Sequence, residues 1–298
     1  MAKVFLTNAS GYIGKAVAKA ALQKGHTVTA LARSPEATQK LEKIGVKPVH
    51  GDLKAPEKYL DAVRQADVVI HTAATNDEDF GKYDTLTVDS IIDALKGSNK
   101  KFIYTSGTWV LGNTGDIIAD EQTPYEPLPF VAWRAENEQK VVAAAQQGVA
   151  SVVLRPVIVY GGAEGIIENL IQQAQKTARV NYIEDGQNYW SLVHIDDLAE
   201  LYVLAIEKAQ PGTLYNASTE FLPAKEIAEL VAKVAGAAQA KSLPLEEARK
   251  TLSIFADAFA LDQKIGAVKA KQELGWQTKA PKFADELAKS KNLTAGRA

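Results

Sequence analysis

The sequence has 298 residues, of which 46% are hydrophobic and 23% are charged, and its formal net charge is −2. This charge offers no electrostatic basis for binding nucleic acid or an anionic membrane surface. The absence of cysteine excludes disulfides, thiolate nucleophiles and cysteine metal sites, and the apolar runs are too short to span a membrane. Because the chain enters its first predicted strand at once, we expect no signal peptide and a cytoplasmic location.

The first forty residues predict a strand, a turn, a helix and a second strand. Residues 4–6 form an apolar run typical of a strand that is buried on both faces. An apolar stripe with helical spacing begins at Ile13, and Gly25 ends that helix. Residues 28–31 are predicted as the second strand. The unit has the length of a βαβ crossover, which indicates a parallel sheet.

The turn between the first strand and the helix carries a predicted phosphate site. Helix N-termini present unpaired N–H groups and a positive dipole end, which favour a phosphate. Ser10, Gly11 and Gly14 are small enough for a pyrophosphate to approach the backbone. An ordinary glycine-containing turn is the alternative, but the position after a strand and before a helix favours a dinucleotide site.

The stretch T-N-A-S-G-Y-I-G at 7–14 resembles the T-G-x-x-G-x-[IL]-G fingerprint of the extended short-chain dehydrogenase/reductase family, which includes sugar-nucleotide epimerases. Asn8 stands where that family has its first glycine. Since asparagine tolerates a left-handed backbone better than other non-glycine residues, we expect the turn to survive the change. The resemblance implies a Rossmann-type fold and cofactor contacts at Thr7, Asn8, Ser10, Gly11, Tyr12, Ile13 and Gly14.

The end of the second strand favours NADP, with NAD as the alternative cofactor. In dinucleotide folds an acidic residue at this place binds the ribose 2′-hydroxyl, whereas an arginine accommodates a 2′-phosphate. Arg33 and Ser34 supply a charged fork and a hydroxyl group. A solvent-facing loop arginine is the other interpretation of Arg33.

Two further stretches match the family's cofactor contacts. After a predicted helix at Pro35–Lys43 and a strand at 46–50, Asp52 and Leu53 match a pair that contacts adenine in the resembled family. On its own, Asp52 would be interpreted as the N-cap of a helix at 56–65. After a strand at 68–70, H-T-A-A resembles the family's H-x-A-A, which implies cofactor contacts at Thr72, Ala73 and Ala74. His71 is expected to pack at the strand end rather than to act in catalysis.

Two later strands are predicted to end beside the nicotinamide. A polar loop at 77–82 and a helix at 83–96 precede the fifth strand, 102–104, which ends in Thr105, Ser106 and Thr108. Catalytic residues in such sheets lie at the carboxyl ends of the strands. A sixth strand at 152–154 leads into R-P-V-I-V-Y-G, which resembles the family's R-P-x-x-V-Y-G and implies contacts at Pro156 and Val159.

The remaining segments predict how the chain is divided. S-L-V-H-I-D-D-L-A at 191–199 resembles the family segment that returns the chain to the main domain, and a strand follows at 212–217. Helices are predicted at 223–235 and from 245 to 291, with helical sequence and a turn at Gly236 across 231–240. We expect a doubly wound parallel sheet in which residues 1–160, completed by about 186–217, bind NADP. Residues 161–185 and 218–298 should form a smaller, mixed and mostly helical substrate lobe.

The family's usual proton relay is missing. Its reductases combine a Ser or Thr with Y-x-x-x-K, a spacing that lets lysine lower the tyrosine pKa from one helical turn away. None of the ten tyrosines here has lysine four positions later. In the matching helix, Phe130 stands at the tyrosine, Arg134 at the lysine and Glu138 at a family glutamate, while Gly107 falls at the catalytic hydroxyl. Arg134 keeps its charge and could hold the ribose, but phenylalanine has no proton to give.

Three functions therefore stay open. The first is an atypical oxidoreductase or epimerase on a small carbonyl or alcohol substrate, with Ser106, Thr108 and Arg134 as catalytic candidates. Its proton donor would be Thr108, Tyr125 or a water molecule held by Ser106. The second is a non-catalytic NADP(H)-binding redox sensor or regulatory protein. The third is a structural domain in which the cofactor turn is a relic.

The expected ligand is a small molecule in a pocket near Gly107, Trp109, Trp133 and Val157, closed by lobe residues around Tyr189 and Trp190. These aromatic residues favour an apolar or ring-bearing ligand, although core packing would explain them as well. The assembly state is open, with a homodimer as one arrangement. The four histidines show no H-E-x-x-H spacing and no G-x-S-x-G motif occurs, so neither a metal site nor a serine hydrolase is expected.

Overall fold

A computed structural model describes residues 1–75, 79–237 and 239–295. The strands within these residues are β1 (Lys3–Leu6), β2 (Thr27–Ala32), β3 (Lys47–His50), β4 (Val68–His71), β5 (Lys101–Thr105), β6 (Ala150–Pro156), β7 (Ile158–Tyr160), β8 (Arg179–Ile183), β9 (Tyr189–His194), β10 (Thr213–Ala217), β11 (Glu220–Pro223) and β12 (Gln239–Leu243). The α-helices are α1 (Tyr12–Gln23), α2 (Pro35–Lys43), α3 (Leu60–Gln65), α4 (Phe80–Leu95), α5 (Ala132–Ala143), α6 (Ile166–Thr177), α7 (Ile195–Lys208), α8 (Ala224–Ala235), α9 (Leu245–Leu252), α10 (Phe255–Phe259), α11 (Val268–Leu274) and α12 (Phe283–Ala295).

The central sheet has seven parallel strands in the order β10-β6-β5-β4-β1-β2-β3. Val4 of β1 pairs with Val28 on one side and with Val68 on the other. The chain therefore leaves β1 towards one edge of the sheet and returns to its other side for β4. Such a reversal opens a crevice at the carboxyl ends of the strands, where doubly wound folds bind ligands. The predicted doubly wound parallel sheet is confirmed.

Alternate residues of the central strands pack against helices on opposite faces of the sheet. Val4 and Leu6 belong to a core that includes Val17 of α1 and Leu201 of α7. Phe5, between them, lies in the other core with α3, α4 and α5. Because a strand points successive side chains to opposite faces, an uninterrupted apolar run is what a strand covered on both sides requires.

A third core belongs to the lobe, in which β11, β9 and β7 form one small sheet and β12 and β8 pair in parallel. Helices α6, α8 and α12 pack there through Ile167, Ile171, Ile227, Val231 and Phe283. This lobe contains more strand than predicted. Helical sequence with a turn at Gly236 was expected over 231–240. Helix α8 does end at Ala235, where Gly236 adopts a left-handed conformation with φ 67°, but Gln239 already belongs to β12.

Two other predicted boundaries differ from the structure. The helical region expected from 245 to 291 is divided into α9, α10, α11 and α12. Of the loop predicted at 77–82, residues 77 and 78 lie outside the described residues, and α4 already begins at Phe80. Across the described part of the chain, no helix has both the length and the apolar composition needed to cross a bilayer.

Candidate functional site

The cofactor loop, defined here as residues 7–14, joins β1 to α1. The backbone N–H groups of Tyr12, Ile13 and Gly14 have no acceptor among the residues that the structure describes, and the helical ladder begins with Lys15 N–H donating to the Gly11 carbonyl at 2.8 Å. These three donors lie at the positive end of the α1 dipole. An anion bound there would satisfy N–H groups that otherwise lack a partner.

Gly14 is required by close packing against the backbone of the loop. A Cβ atom at this position would lie 1.6 Å from the Asn8 carbonyl oxygen and 3.0 Å from Thr72 Oγ1. Thr72 Oγ1 itself donates to that carbonyl oxygen at 3.0 Å. The start of α1 therefore approaches the ends of β1 and β4 as closely as the dinucleotide fingerprint implies.

The reason given above for tolerance of Asn8 was wrong. Asn8 does not have a positive φ, so the left-handed preference of asparagine is not used. Its side chain instead folds over the loop, where Oδ1 accepts hydrogen bonds from Gly11 N–H at 2.9 Å and Ser10 Oγ at 3.2 Å. An amide oxygen thus holds the turn in place of the backbone freedom of glycine, and the three N–H groups further along stay available.

A buried polar network lies behind the cofactor loop. Thr7 Oγ1 accepts from the Thr72 and Ala73 N–H groups at 3.1 and 3.2 Å and lies 2.8 Å from His71 Nδ1. Since the hydroxyl has one proton and already accepts twice, it donates to Nδ1. The proton of His71 therefore lies on Nε2, 3.1 Å from Asp84 Oδ1. His71 packs at the strand end, as expected.

Asp84 is the charged centre of this network. Its Oδ2 accepts from the Tyr104 hydroxyl at 2.7 Å and from Asn137 Nδ2 at 3.0 Å. Burial by itself raises the pKa of Asp84, but the His71 ring, the Arg134 guanidinium and the hydrogen bonds outweigh burial and lower it. The ionised carboxylate thus joins β4, β5, α4 and α5 beneath the crevice.

At the end of β2, Arg33 is exposed and has no hydrogen bond or ion pair within the described residues. Ser34 is already engaged, because its Oγ accepts from Ala37 N–H at 3.2 Å as the N-cap of α2. The Ser34 hydroxyl also lowers the pKa of Glu36 by hydrogen bonding to that carboxylate. Of the two residues predicted to recognise a 2′-phosphate, only Arg33 is free to do so.

The other predicted cofactor residues lie along the carboxyl edge of the sheet. Asp52 Oδ1 accepts from Lys54 N–H at 2.9 Å, whereas the N-cap of the following 3₁₀ helix is Ala55, so the N-cap interpretation of Asp52 was wrong. Leu53 is buried in the core beside α3 and α4. Thr72 and Ala73 are fixed to Thr7, and Ala74 lies beyond them on the way into the crevice.

A cavity of about 810 Å³ opens at the carboxyl ends of the central strands. All three catalytic candidates line it, and six of the predicted cofactor residues do as well: Tyr12, Ile13, Ala74, Arg134, Pro156 and Val159. Its other walls are mainly apolar and aromatic: Phe80, Trp109, Val110, Phe130, Val131, Val157, Ile158, Ile166, Ile254 and Phe255. The predicted catalytic residues and part of the predicted cofactor residues therefore lie around one cavity.

Ser106 and Arg134 are two of the polar residues that line this cavity. The Ser106 hydroxyl is buried, with 7% of the residue exposed, and its Oγ has no hydrogen-bond partner among the described residues. Arg134 Nη1 donates to the Thr105 carbonyl at 2.9 Å, which places the guanidinium at the end of β5. Thr105 Oγ1 lies 2.5 Å from the Tyr202 hydroxyl, so its side chain is occupied on the other side.

Two alternative proton donors are engaged elsewhere. Thr108 lines the cavity, but its Oγ1 donates to Gln263 Oε1 at 3.3 Å, and Gln263 Nε2 donates back to the Thr108 carbonyl at 2.8 Å. Tyr125 does not line the cavity; its hydroxyl donates to Glu138 at 2.9 Å. Burial and the Glu138 carboxylate raise the pKa of Tyr125 to about 12. The hypothesis that Tyr125 is the proton donor was therefore wrong.

Glu138 fixes α5, the helix that carries Arg134 and that follows the short 3₁₀ turn with Phe130. Its carboxylate and the Arg155 guanidinium form a fully buried pair with N–O distances of 2.6, 2.8 and 3.0 Å. Arg155 belongs to β6, so the pair joins α5 to the sheet. Phe130, two residues before the start of α5, lines the cavity.

The predicted aromatic lining was partly wrong. Trp109 lines the cavity, but Trp133 turns its indole N–H to the Phe130 carbonyl at 2.9 Å and packs on Phe80 at 5.7 Å between ring centroids. Tyr189 and Trp190 pack on Phe221 and Phe259 inside the lobe. The sequence prediction missed Phe80, Ile254, Phe255 and Gln263, which come from segments without a recognisable motif.

Comparison with known proteins identifies the wider relationships of the chain. A family model described as "NAD dependent epimerase/dehydratase family" matches residues 4–218. An uncharacterized protein of Schizosaccharomyces pombe is 32% identical over 294 residues, covering 96% of this chain and 98% of its own length. A Stigmatella aurantiaca protein, 4-hydroxy-2-methyl-3-oxo-4-farnesyl-3,4-dihydroquinoline-1-oxide ketoreductase, is 28% identical, covering 72% of this chain and 67% of the relative. The fold resembles UDP-glucose 4-epimerase of Thermus thermophilus in complex with NAD, with a TM-score of 0.80, 22% identity and coverage of 99% and 100% of the two chains.

Proposed function

The chain belongs to the NAD-dependent epimerase/dehydratase family, and we propose that it is an NADP(H)-binding oxidoreductase that acts on a ketone or secondary alcohol within an apolar small molecule. The observation that carries this proposal is that Arg134 and Ser106, whose buried hydroxyl has no hydrogen-bond partner among the described residues, line the same mainly apolar cavity. An apolar substrate with a single carbonyl group needs polar partners only around that group.

The cofactor loop and Arg33 fit a phosphorylated dinucleotide. The N–H groups of Tyr12, Ile13 and Gly14 supply donors for the pyrophosphate, and Arg33 supplies a charge for a 2′-phosphate. We propose that residues 1–160 and about 186–217 bind the dinucleotide and that 161–185 and 218–298 form the substrate lobe, to whose small sheet β7 and β9 of the first part also contribute. The reaction chemistry that the dinucleotide contributes when bound is the transfer of a hydride.

Ser106 and Arg134 have separate tasks in this proposal. The Ser106 hydroxyl donates a hydrogen bond to the substrate oxygen, and the permanently charged Arg134 stabilises the negative charge that develops on that oxygen. Arg134 does not act as an acid because its guanidinium does not lose a proton. The proton that completes the alcohol passes through Ser106 Oγ and is replaced from water.

The substrate class follows from the walls of the cavity. Its aromatic and aliphatic side chains suit an apolar carbonyl compound better than a sugar nucleotide, which would need many polar partners. The Stigmatella aurantiaca relative is a ketoreductase of a farnesyl-bearing dihydroquinoline, which supports an apolar ketone. An epimerase on a sugar nucleotide receives no comparable support from these residues.

A second function is favoured by one specific observation. Phe130 occupies the wall position at which the resembled family has its phenol, and Tyr125 is committed to Glu138. A site without an efficient acid could bind NADPH and report its level without consuming it. This redox-sensing alternative shares the cofactor site and differs only in turnover.

For either function we propose a cytoplasmic protein, with a homodimer as an assembly to be tested by light scattering.

The two functions are distinguished by isotope transfer. The protein would be incubated with NADPH carrying deuterium at the transferable C4 position and with 2-octanone or cyclohexanone, and the alcohol product analysed by mass spectrometry. Deuterated alcohol is expected. Ser106→Ala and Arg134→Met should each lower kcat by roughly 100- to 1,000-fold, the usual loss on removing one oxyanion-stabilising group.

Matched controls are Ser98→Ala and Arg179→Met, which remove the same groups at exposed positions outside the cavity. These variants should keep full turnover. Saturable NADPH binding without deuterium transfer to any ketone would favour the sensor. Failure to bind either NADPH or NADH would favour the third interpretation, a structural domain with a relic loop.

A further inference from the structure

Two large apolar side chains remain exposed at the mouth of the cavity. Ile254 and Phe255, here called the rim, both line the cavity, and 43% and 46% of their surfaces are exposed. They lie at the start of α10 and line the same cavity as Ser106, which follows β5, and Arg134 of α5. Covering such an exposed apolar surface with a ligand is energetically favourable because it removes the surface from water.

The rim continues an aromatic wall that starts next to the catalytic candidates. Trp109, one residue after Thr108, has its ring centroid 5.9 Å from Phe130 and 6.2 Å from Phe255. Phe130 and Phe255 are 5.8 Å apart. An apolar path therefore leads from the end of β5 along these rings to the open edge of the cavity.

The backbone is strained where it delivers the rim. Ser253, immediately before Ile254, has φ 52° and ψ −135°, a conformation that side chains other than glycine rarely adopt. The far end of α10 is fixed, since Trp190 Nε1 and Asn188 Nδ2 donate to the Phe259 carbonyl at 2.9 and 3.0 Å. Anchored at one end and strained at the other, α10 presents Ile254 and Phe255 to the cavity rather than to the lobe core.

We propose that the rim is a specificity determinant that covers a linear apolar chain attached to the reacting carbonyl group. The inference rests on the proposed function and extends it by naming the substrate class: ketones or secondary alcohols that carry an alkyl or isoprenoid chain. The carbonyl group lies at Ser106 and Arg134, and the chain follows Trp109 and Phe130 outwards to Phe255. Ligands without such a chain bind without covering the rim.

The test compares 2-alkanones of increasing length, from 2-butanone to 2-dodecanone, as substrates with NADPH. In the wild type, kcat/KM should rise by roughly three- to fourfold for each methylene group that becomes buried, the factor that corresponds to the free energy of burying one CH₂ group. The double variant Ile254→Ser/Phe255→Ser should follow the wild type for short ketones and lose the rise for long ones. Its loss should appear in KM rather than in kcat.

The matched control is Ile117→Ser/Ile118→Ser, which removes two side chains that are 58% and 59% exposed and do not line the cavity. Its dependence on chain length should equal that of the wild type. Calorimetric titration of the NADPH-loaded protein with the same ketones measures the effect of the rim on binding independently of turnover. A chain-length dependence of Kd that is lost in the rim variant supports the rim even if no ketone is reduced.

Three outcomes would contradict the role proposed for the rim. The first is an equal chain-length dependence in the rim variant and the wild type, and the second is no dependence in the wild type. The third is an absence of binding by every ketone of the series. If turnover is observed together with the first or second outcome, the proposed function is supported but the role proposed for the rim is rejected.

Discussion

Arg33 is the residue on which the choice of cofactor depends, because Ser34 is occupied as an N-cap. Arg33→Asp removes an exposed positive charge that has no ion pair among the described residues and replaces it with a charge that repels a 2′-phosphate. We expect NADPH affinity to fall by about 10- to 100-fold, the range for losing a hydrogen bond to a charged group, while NADH affinity changes little. Fluorescence titration with both dinucleotides measures this.

The control for that change is Arg179→Asp, which alters the net charge equally at an exposed position on β8. It should leave both affinities unchanged. An unaltered NADPH affinity in Arg33→Asp would show that cofactor choice is made elsewhere.

The cofactor loop shows what sequence can predict about single residues. Gly14 is predictable because only a missing Cβ satisfies the approach to the Asn8 carbonyl oxygen. The role of Asn8 is not, since a side-chain hydrogen bond to Gly11 and a left-handed backbone would preserve the turn equally well. The hydrogen bond from Thr108 to Gln263 could not be predicted either, because 155 positions separate the two residues in the sequence.

Among the elements, α5 determines what reaches the cavity, and buried polar groups on α4 and α5 determine where α5 lies. Glu138 holds α5 to β6 through Arg155, while Asn137 contacts Asp84 on α4. Helix α5 could be located from the sequence by its match around Glu138. The partner across the sheet could not, because a buried ion pair leaves no periodic signal in the sequence.

Asp84 provides a test of this polar network through pH. Its pKa is lower in the folded chain than in the unfolded chain, so its ionised form stabilises the fold above the unfolded value near 4 and loses that effect as the pH falls through the folded value. Asp84→Asn should therefore lower the free energy of unfolding at pH 7 by roughly 1.5–3 kcal/mol, and the difference should shrink between pH 5 and pH 3. Urea unfolding at several pH values measures it.

The matched control lies on the same helix. Asp89→Asn breaks only the exposed pair with Lys140, with an expected cost below about 1 kcal/mol. A loss in Asp84→Asn that stays constant from pH 7 to pH 3 would contradict the role given to the carboxylate.

Strands were predictable where both faces are buried and were missed where they are polar. The uninterrupted apolar sequences at residues 4–6 and 68–70 predict β1 and β4. In contrast, β12 has the sequence Q-A-K-S-L and β8 the sequence R-V-N-Y-I, and the two pair only with each other at the edge of the lobe. In β8 only Val180 and Ile183 are buried and in β12 no residue is, so neither strand has the uninterrupted apolar run on which such a prediction depends.

At the scale of the whole molecule, the cavity is lined by the strand ends of the central sheet and by the start of α10, and one segment bridges the two regions. Residues 261–266, here called the strap, run between β9 and the loop after β5, with Gln263 N–H donating to the Tyr189 carbonyl at 2.9 Å and Gln263 Nε2 to the Gly112 carbonyl at 2.8 Å. The strap also follows α10 directly. The position of the rim over the strand ends is therefore fixed by hydrogen bonds from both sides.

The overall architecture was predictable because the order of strands and helices, together with the loop fingerprint, leaves few topologies. The shape of the cavity was not. Trp133 and Trp190 contribute to packing, whereas Ile254 and Phe255 reach the cavity by way of a strained turn at Ser253. Which aromatic residues face a ligand depends on the placement of the lobe, and no local pattern in the sequence records it.

The most direct test is a calorimetric titration of the purified protein with NADPH. We predict saturable binding of one NADPH per chain, weaker binding of NADH, and loss of both in Gly14→Val, whose side chain would force the start of α1 away from the Asn8 carbonyl oxygen. Circular dichroism would confirm that the variant is folded. Absence of a binding signal for either dinucleotide with the wild type, or unchanged binding by a folded Gly14→Val, would contradict a dinucleotide site at the opening loop.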